Sequence, residues 1–255
     1  ESTKAPDGRF KLAQLVRANR ELERVCRAYR LPCVSGKDSM KNDYGSGPEK
    51  ISIPPTLLFS LFGDHPDVRQ TATSDFKSSG DRIYLVGTSN QELGASELAF
   101  MMTESGQTDG IGGRVPQLPH PEQNLAMYRS LSTAIRAGIV RTAHDCSEGG
   151  LAVALAEMCI GGRLGASVDI DGTGDGDVWG RLWGESLGRF VVAVSPDNEA
   201  AFLAAMKGHP TTVLGTVDNT AHLSIMDGDD PLVHMHVDAM TTAWKGTLDL
   251  TGGMA

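Results

Sequence analysis

Residues 141–158 constrain the fold most, because a strand, a polar turn and a helix follow one another there without a spacer. Asp145 stands in the turn, Gly149-Gly150 closes it, and apolar residues then recur at helical spacing. Amides at such a helix start can accept an anion, and Asp145 or Glu148 can hold a cation beside it. Glycines at a strand-to-helix turn more often serve packing alone. The order of elements indicates an α/β protein.

The charge balance narrows the possible partners. With a formal net charge of −9 over 255 residues, the chain lacks the basic face that nucleic acids and anionic membranes require. Its apolar runs are much shorter than the roughly 18 residues of a membrane span, and its N-terminus does not resemble a signal peptide. We therefore expect a cytoplasmic protein that contacts neither nucleic acid nor membrane. Its four cysteines are expected to be reduced structural thiols.

A second polar loop follows the short apolar segment at residues 33–34, which predicts a strand. Gly36, Lys37, Asp38 and Ser39 place a flexible backbone position, a cation, a carboxylate and a hydroxyl in succession. This combination suits a polyanion with its metal: Gly36 permits close approach, Lys37 supplies charge, Asp38 can hold Mg²⁺ and Ser39 can donate a hydrogen bond. A solvated turn is the alternative, since the order is not that of a Walker A loop.

The remaining periodicity predicts two domains. An amphipathic helix is expected over residues 11–30, and the apolar run 56–63 predicts a strand covered on both faces. The polar segment 64–81 is the expected crossing between domains. The elements expected after it are strands at 82–87, 190–194, 212–217, 222–226 and 232–237 and helices near 97, 121–138, 151–158, 179–184, 197–206 and up to 244.

Two further patterns suggest metals only weakly. Residues 169–177 alternate acidic and small residues, as in a calcium loop, but Gly180 stands where the twelfth-position glutamate belongs. An acidic surface loop is the preferred interpretation. His234 and His236 would share one strand face, yet no third ligand is evident near them, which favours an ordinary half-buried strand.

Two stretches carry a resemblance to known enzymes. Residues 35–43 and 51–56 resemble the second half of phosphoribosylformylglycinamidine synthase, the ATP-dependent amidine-forming enzyme of purine biosynthesis. Residues 144–157 and 184–189 resemble the C-terminal domain of the wider aminoimidazole ribonucleotide synthetase superfamily. The resemblance extends from about residue 11 to 244.

The resemblance implies a mixed α/β fold in two pieces. Residues 1–77 would be the C-terminal portion of a synthetase N-terminal-type domain, which contributes to a β-barrel at a dimer or pseudo-dimer interface. Residues 78–246 would be a complete C-terminal-type α/β domain, and 247–255 a tail. The full enzyme duplicates this pair, so the chain would be one fragment of it, able to form a homodimer by itself.

The resemblance also assigns roles to residues. Gly36 would admit phosphates, Asp38 would hold Mg²⁺, and Ser39 would bond a substrate or phosphate oxygen. Lys37 stands where relatives carry asparagine, so the resemblance does not decide whether this position contacts the metal or a phosphate. Asp145, with the glycine pair, would belong to a second nucleotide site that is catalytic, auxiliary or vestigial. No catalytic residue is assigned within this chain.

The implied reaction joins ammonia to formylglycinamide ribonucleotide at the expense of ATP with Mg²⁺. The implied partners are the N-terminal half of the synthetase and a glutaminase subunit or domain, since no Gly-x-Cys-x-Gly nucleophile occurs here. The fragment alone is expected to be inactive. The alternatives are aminoimidazole ribonucleotide synthetase or a kinase of the same superfamily, or a non-catalytic half that holds a nucleotide structurally.

Overall fold

The computed structural model describes residues 8–37, 43–45, 50–52, 56–106 and 113–246. These residues divide into two compact units. The first unit comprises Glu1–Pro66 with His120–Leu125, and the second comprises Asp67–Pro119 with Ala126–Ala255.

The first unit is built around helix α1, Gly8–Tyr29, close to the helix that the apolar stripe predicts. Two short strands, β1 (Asp43–Tyr44) and β2 (Ile51–Ser52), pair in antiparallel fashion. The side chains of Phe10 and Val16 on α1 remain 61% and 48% exposed. The apolar stripe of α1 is therefore only partly covered within this unit.

The strand predicted for residues 56–63 is not formed, and the prediction was wrong. Residues 56–62 have no regular secondary structure, and their large apolar side chains are 61–91% exposed. The strand predicted at 33–34 is likewise absent, because residues 31–37 form irregular backbone. A strand needs a neighbour for its backbone hydrogen bonds, and a buried strand needs covering layers on both faces. The described part of the first unit provides neither for this run.

The second unit contains a seven-stranded sheet of order β4-β6-β3-β7-β5-β8-β9. All neighbouring strands are antiparallel except β5 and β8, which are parallel. The strands are β3 (Arg82–Val86), β4 (Thr142–Asp145), β5 (Gly165–Asp169), β6 (Phe190–Val194), β7 (Thr211–Asp218), β8 (His222–Asp227) and β9 (Asp230–His236). The mixed α/β class predicted from the sequence is confirmed.

Helices cover both faces of β3 and β6. The remaining helices are α2 (Glu97–Glu104), α3 (Pro121–Arg136), α4 (Gly150–Gly162), α5 (Val178–Trp183), α6 (Glu199–Ala205) and α7 (Val237–Gly246). Ile83 and Leu85 pack with α4, whereas Tyr84 and Val86 pack with α3 and α6. Alternate side chains of one strand thus enter two cores, as a period of two requires. In the part of the chain that the structure describes, no helix is both long and apolar enough to cross a membrane.

The four thiols divide into two classes by exposure. Cys146 and Cys159 are buried, and burial raises their pKa values to about 11 and about 12. Cys33 is exposed, and its sulfur lies 3.8 Å from that of half-buried Cys26.

We expect the folded chain at pH 8 to be alkylated at Cys33 first, with Cys146 and Cys159 at least about 100-fold slower, since only the thiolate reacts. Mass spectrometry of iodoacetamide-treated peptides, compared with a urea-unfolded sample, measures the order. Rapid labelling of Cys146 in the folded chain would contradict the burial of its side chain.

Candidate functional site

In the turn after β4, the carboxylate of Glu185 occupies the helix start at which an anion could otherwise bind. The amide of Gly149 donates to Glu185 Oε1 at 3.0 Å, and the amide of Gly150 donates to the Ser147 carbonyl at 3.0 Å. Neither amide is open to a phosphate in this structure, which is what the packing interpretation of the glycine pair expects. A carboxylate at the start of α4 makes the same charge-assisted contact that a phosphate oxygen would make.

Packing explains why glycine occupies both positions. Gly149 and Gly150 have φ angles of +76° and +66°, in the left-handed region that favours glycine. A Cβ on Gly150 would lie 2.6 Å from the Gly184 carbonyl oxygen and 2.7 Å from that of Leu182. The close approach of α4 to the end of α5 thus requires this glycine without any ligand.

Glu185 ties two helices together. The same Oε1 that accepts from Gly149 also accepts from the amide of Glu97 at 2.9 Å, the first residue of α2. One carboxylate therefore satisfies unpaired amides at the starts of both α2 and α4, where the helix dipoles favour negative charge. Glu185 itself is held in place because its amide donates to the Glu92 carbonyl at 3.2 Å.

A buried charged cluster lies beside this bridge. Arg189 is 1% exposed and donates from Nη1 to Ser89 Oγ at 2.8 Å, from Nε to the Ser186 carbonyl at 3.0 Å, and from Nη2 to the Gly184 carbonyl. Burial lowers the pKa of the Arg189 guanidinium, and the Cys146, Glu92 and Glu185 side chains act in the opposite direction.

Glu92 is the buried acid of this cluster, also 1% exposed. Its Oε1 accepts from the Gln117 amide at 3.1 Å, and Arg114 Nε lies 3.8 Å from it. Its Oε2 is buried without a hydrogen-bond partner among the described residues. Arg189 acts on Glu92 only through space, because no ion pair or hydrogen bond joins the two among the described residues, and both lie in a region that water does not reach.

Asp145 stands at the end of β4 with 61% of its side chain exposed. The Ser147 hydroxyl donates to it and is the main cause that lowers its pKa. Beside it, His144 Nε2 lies 2.8 Å from Glu157 Oε2 on α4. Asp145 is thus an accessible, ionised carboxylate next to a rigid turn, whereas His144 is engaged with a helix of the core.

Of the four site residues predicted in the loop 36–39, the structure describes the first two. Gly36 and Lys37 are exposed, and a side chain placed on Gly36 would meet nothing within 4 Å. Asp38 and Ser39 lie outside the described residues. Gly36 and Lys37 belong to the first unit and Asp145 to the second.

Two of the four carboxylates of the acidic loop 169–177 are engaged within the protein. Asp169 accepts from the amides of Asp171 at 2.9 Å and Gly228 at 3.0 Å, and Asp177 caps α5. These carboxylates shape the loop, as the preferred interpretation of an acidic surface loop expects.

The histidine pair has a neighbour that the sequence pattern did not indicate. The ring of His222 lies 4.6 Å from that of His234 and 4.8 Å from that of His236 between centroids. Antiparallel pairing of β8 with β9 brings them together. Across the described ranges, no group of three or more potential ligands has a metal-binding arrangement.

The comparisons with known proteins agree with this architecture. The family described as AIR synthase related protein, C-terminal domain, matches residues 78–228. The solved structure of Thermotoga maritima PurL complexed with FGAR matches with a TM-score of 0.58 at 21% identity, over 68% of this chain and 30% of that one. T. maritima PurL complexed with ATP matches with a TM-score of 0.53 at 20% identity, over 68% and 27%.

The structure of PurLQS from T. maritima matches with a TM-score of 0.53 at 21% identity, over 68% of this chain and 28% of that one. At these identities the likeness establishes the fold. The chain spans less than a third of the length of each of these solved chains. The family match covers more than half of the 255 residues, and it confirms the superfamily predicted from the sequence. The chain belongs to the AIR synthase related family, whose C-terminal domain its residues 78–228 form.

Proposed function

We propose that this chain supplies the C-terminal part of an ATP-dependent ligase that converts formylglycinamide ribonucleotide and ammonia to the amidine in the cytoplasm. It would act together with an N-terminal half of the synthetase, on the same or a separate polypeptide. A glutaminase subunit or domain would deliver the ammonia. The family match, together with the likeness to the structures of T. maritima PurL complexed with FGAR and with ATP, supports this proposal.

The observation that carries the proposal is the exposed apolar run at residues 56–62. Leu58, Leu61 and Phe62 are 91%, 79% and 89% exposed, in a sequence whose pattern is that of a doubly covered strand. Several adjacent exposed large apolar side chains are typical of an interaction surface, and we infer that another polypeptide segment covers this one. The N-terminal half is the partner that the resemblance names, and about 70% of each matched PurL chain lies outside the match.

The chemistry needed from this chain is positioning and charge neutralisation. In the reaction, a phosphoryl group passes from ATP to the formamide oxygen, and ammonia then displaces the phosphate. Both steps require cations at the phosphates and close approach of the backbone. Gly36 and Lys37 are exposed, as both tasks require. We assign Asp38 to Mg²⁺, which would neutralise phosphate charge when bound, and Ser39 to a substrate or phosphate oxygen. Asp145 is assigned to an auxiliary nucleotide contact.

A second candidate is a non-catalytic half that completes the assembly structurally. The occupied amides of Gly149 and Gly150 favour it for the second unit, because Glu185 fills the position that a phosphate would take. In that case Asp145 and Asp38 would make no difference to nucleotide binding.

The test is calorimetric titration of ATP with Mg²⁺ into the chain mixed with a separately expressed N-terminal half. We expect Asp38→Ala to weaken binding at least about tenfold, which corresponds to about 1.4 kcal/mol for the loss of a metal ligand. Asp64→Ala removes an exposed carboxylate from the same unit and is the matched control, expected to bind like wild type.

Turnover is measured in the same mixture as ADP formed with formylglycinamide ribonucleotide and ammonium. Activity in the mixture, and none from the chain alone, is the expected result. Nucleotide binding that is indifferent to Asp38→Ala would favour the structural half, and failure of the two halves to associate would refute the proposed partner.

A further inference from the structure

A cavity of about 270 Å³ in the second unit is lined by an unusual set of side chains. Four of its ten lining residues are cations and none is an acid. Lys and Arg make up 23 of 255 residues and Asp and Glu 32, so composition alone predicts about one of each. The cations are Arg69, Lys77, Arg136 and Arg141. We call this cavity the basic pocket.

We propose that the basic pocket binds a small phosphate ester or a diphosphate. A cavity of this size lies just below the usual range for drug-sized ligands, so it suits a sugar phosphate better than a whole nucleotide. Guanidinium groups match phosphate and carboxylate oxygens alike in a two-point geometry, and four cations in the lining favour a dianionic phosphate over a singly charged carboxylate. Gln70, Thr71 and Thr73 add neutral hydrogen-bonding groups to the wall.

The wall formed by residues 69–77 is fixed to the sheet. The amide of Thr73 donates to the Arg141 carbonyl at 3.4 Å, and the amide of Ala143 donates to the Thr73 carbonyl at 3.1 Å. Phe76, 1% exposed, anchors the segment in the core. A binding wall that is ordered beforehand spares the ligand the entropy of ordering it.

The opposite wall is the end of α3 and the turn that follows. The amides of Ile139 and Val140 donate to the Ala134 carbonyl at 3.0 and 3.4 Å, and Val140 is 1% exposed. Arg136 and Arg141 are therefore held on either side of a well-packed turn. Both are exposed at the pocket.

Neighbouring acids reduce the charge of the pocket without cancelling it. Arg69 forms an ion pair with Asp67 at 2.8 Å, and Lys77 forms one with Asp75. Arg141 attracts the carboxylate of Asp81 electrostatically. For the Arg136 guanidinium, no ion pair or hydrogen bond occurs among the described residues. The C-terminal end of α3 contributes only about half a negative charge. A dianionic phosphate would therefore find net positive charge there.

The proposal is tested by titrating ribose 5-phosphate and inorganic pyrophosphate into the intact chain in EDTA, so that magnesium-dependent binding elsewhere is silent. Calorimetry gives the dissociation constant, and the arginine side-chain NMR signals show which residues respond. We expect saturable binding that weakens at least about tenfold in the double variant R136A/R141A. Ribose without phosphate should not bind.

The control R17A/R129A removes the same charge from exposed arginines outside the pocket, one of them on α3. It is expected to bind as wild type does. The variant R136K/R141K keeps the charge and should lose part of the affinity, because lysine cannot make the two-point contact. Equal weakening in R17A/R129A, no effect of R136A/R141A, or no saturation by about 10 mM would each overturn the proposal.

Discussion

Replacing Arg189 with alanine is expected to lower the free energy of unfolding of the second unit by about 3–5 kcal/mol. The substitution removes a buried cation whose charge acts through space on the neighbouring Glu92 and Glu185 side chains. It also removes three donors, so that the Ser89 hydroxyl and the Gly184 and Ser186 carbonyls lose their partner in a region closed to water. Each buried acceptor left without a donor costs about 1–3 kcal/mol, so the loss of three hydrogen bonds accounts for the expected effect.

Urea unfolding followed by tryptophan fluorescence measures this loss, because all three tryptophans (Trp179, Trp183 and Trp244) lie in the second unit. Arg114→Ala is the matched control. Arg114 also approaches Glu92, at 3.8 Å, but its side chain is 62% exposed, so its loss should cost no more than about 1 kcal/mol. Equal effects of the two substitutions would show that the buried hydrogen bonds of Arg189 contribute little to stability.

A strand predicted from the sequence was correct where the strands that pair with it belong to the same unit. Residues 190–194 and 56–63 are both apolar runs, and both predict a strand. The first becomes β6, with β3 and β4 on either side and helices over both faces. The second stays irregular and exposed. The hydrophobic pattern indicates that a segment is suited to burial in a sheet. Whether it becomes a buried strand depends on pairing strands and covering helices from elsewhere in the assembly.

The candidate site was harder to predict, because its decisive contacts join residues far apart in the chain. Glu185 reaches Gly149 and Glu97 across 36 and 88 residues, and Arg189 reaches Ser89 across 100. The stretch 184–189 was recognisable only by resemblance, since spacing gives no sign that one carboxylate caps two helices. Asp145, expected in the turn, is the last residue of β4, and its ligand remains a prediction, as do those of Asp38 and Ser39.

Gly150→Ala separates the packing role of the glycine pair from a role in binding. We expect a loss of about 3 kcal/mol or more in the free energy of unfolding of the second unit. The left-handed backbone costs a residue with a Cβ about 1–2 kcal/mol. The contacts at 2.6 and 2.7 Å add an overpacking cost, because backbone oxygens of Gly184 and Leu182 cannot turn away as a flexible side chain could.

Gly138→Ala isolates the backbone part of this cost. Gly138 has a φ angle of +73°, close to the +66° of Gly150, but an added Cβ would meet nothing within 4 Å. Its substitution should therefore cost about 1–2 kcal/mol, the conformational penalty alone. A large difference between the two variants in urea unfolding would show that α4 needs Gly150 to approach the end of α5. Equal costs would mean that the approach can relax, so that packing would not account for the glycine and anion binding at the turn would regain support.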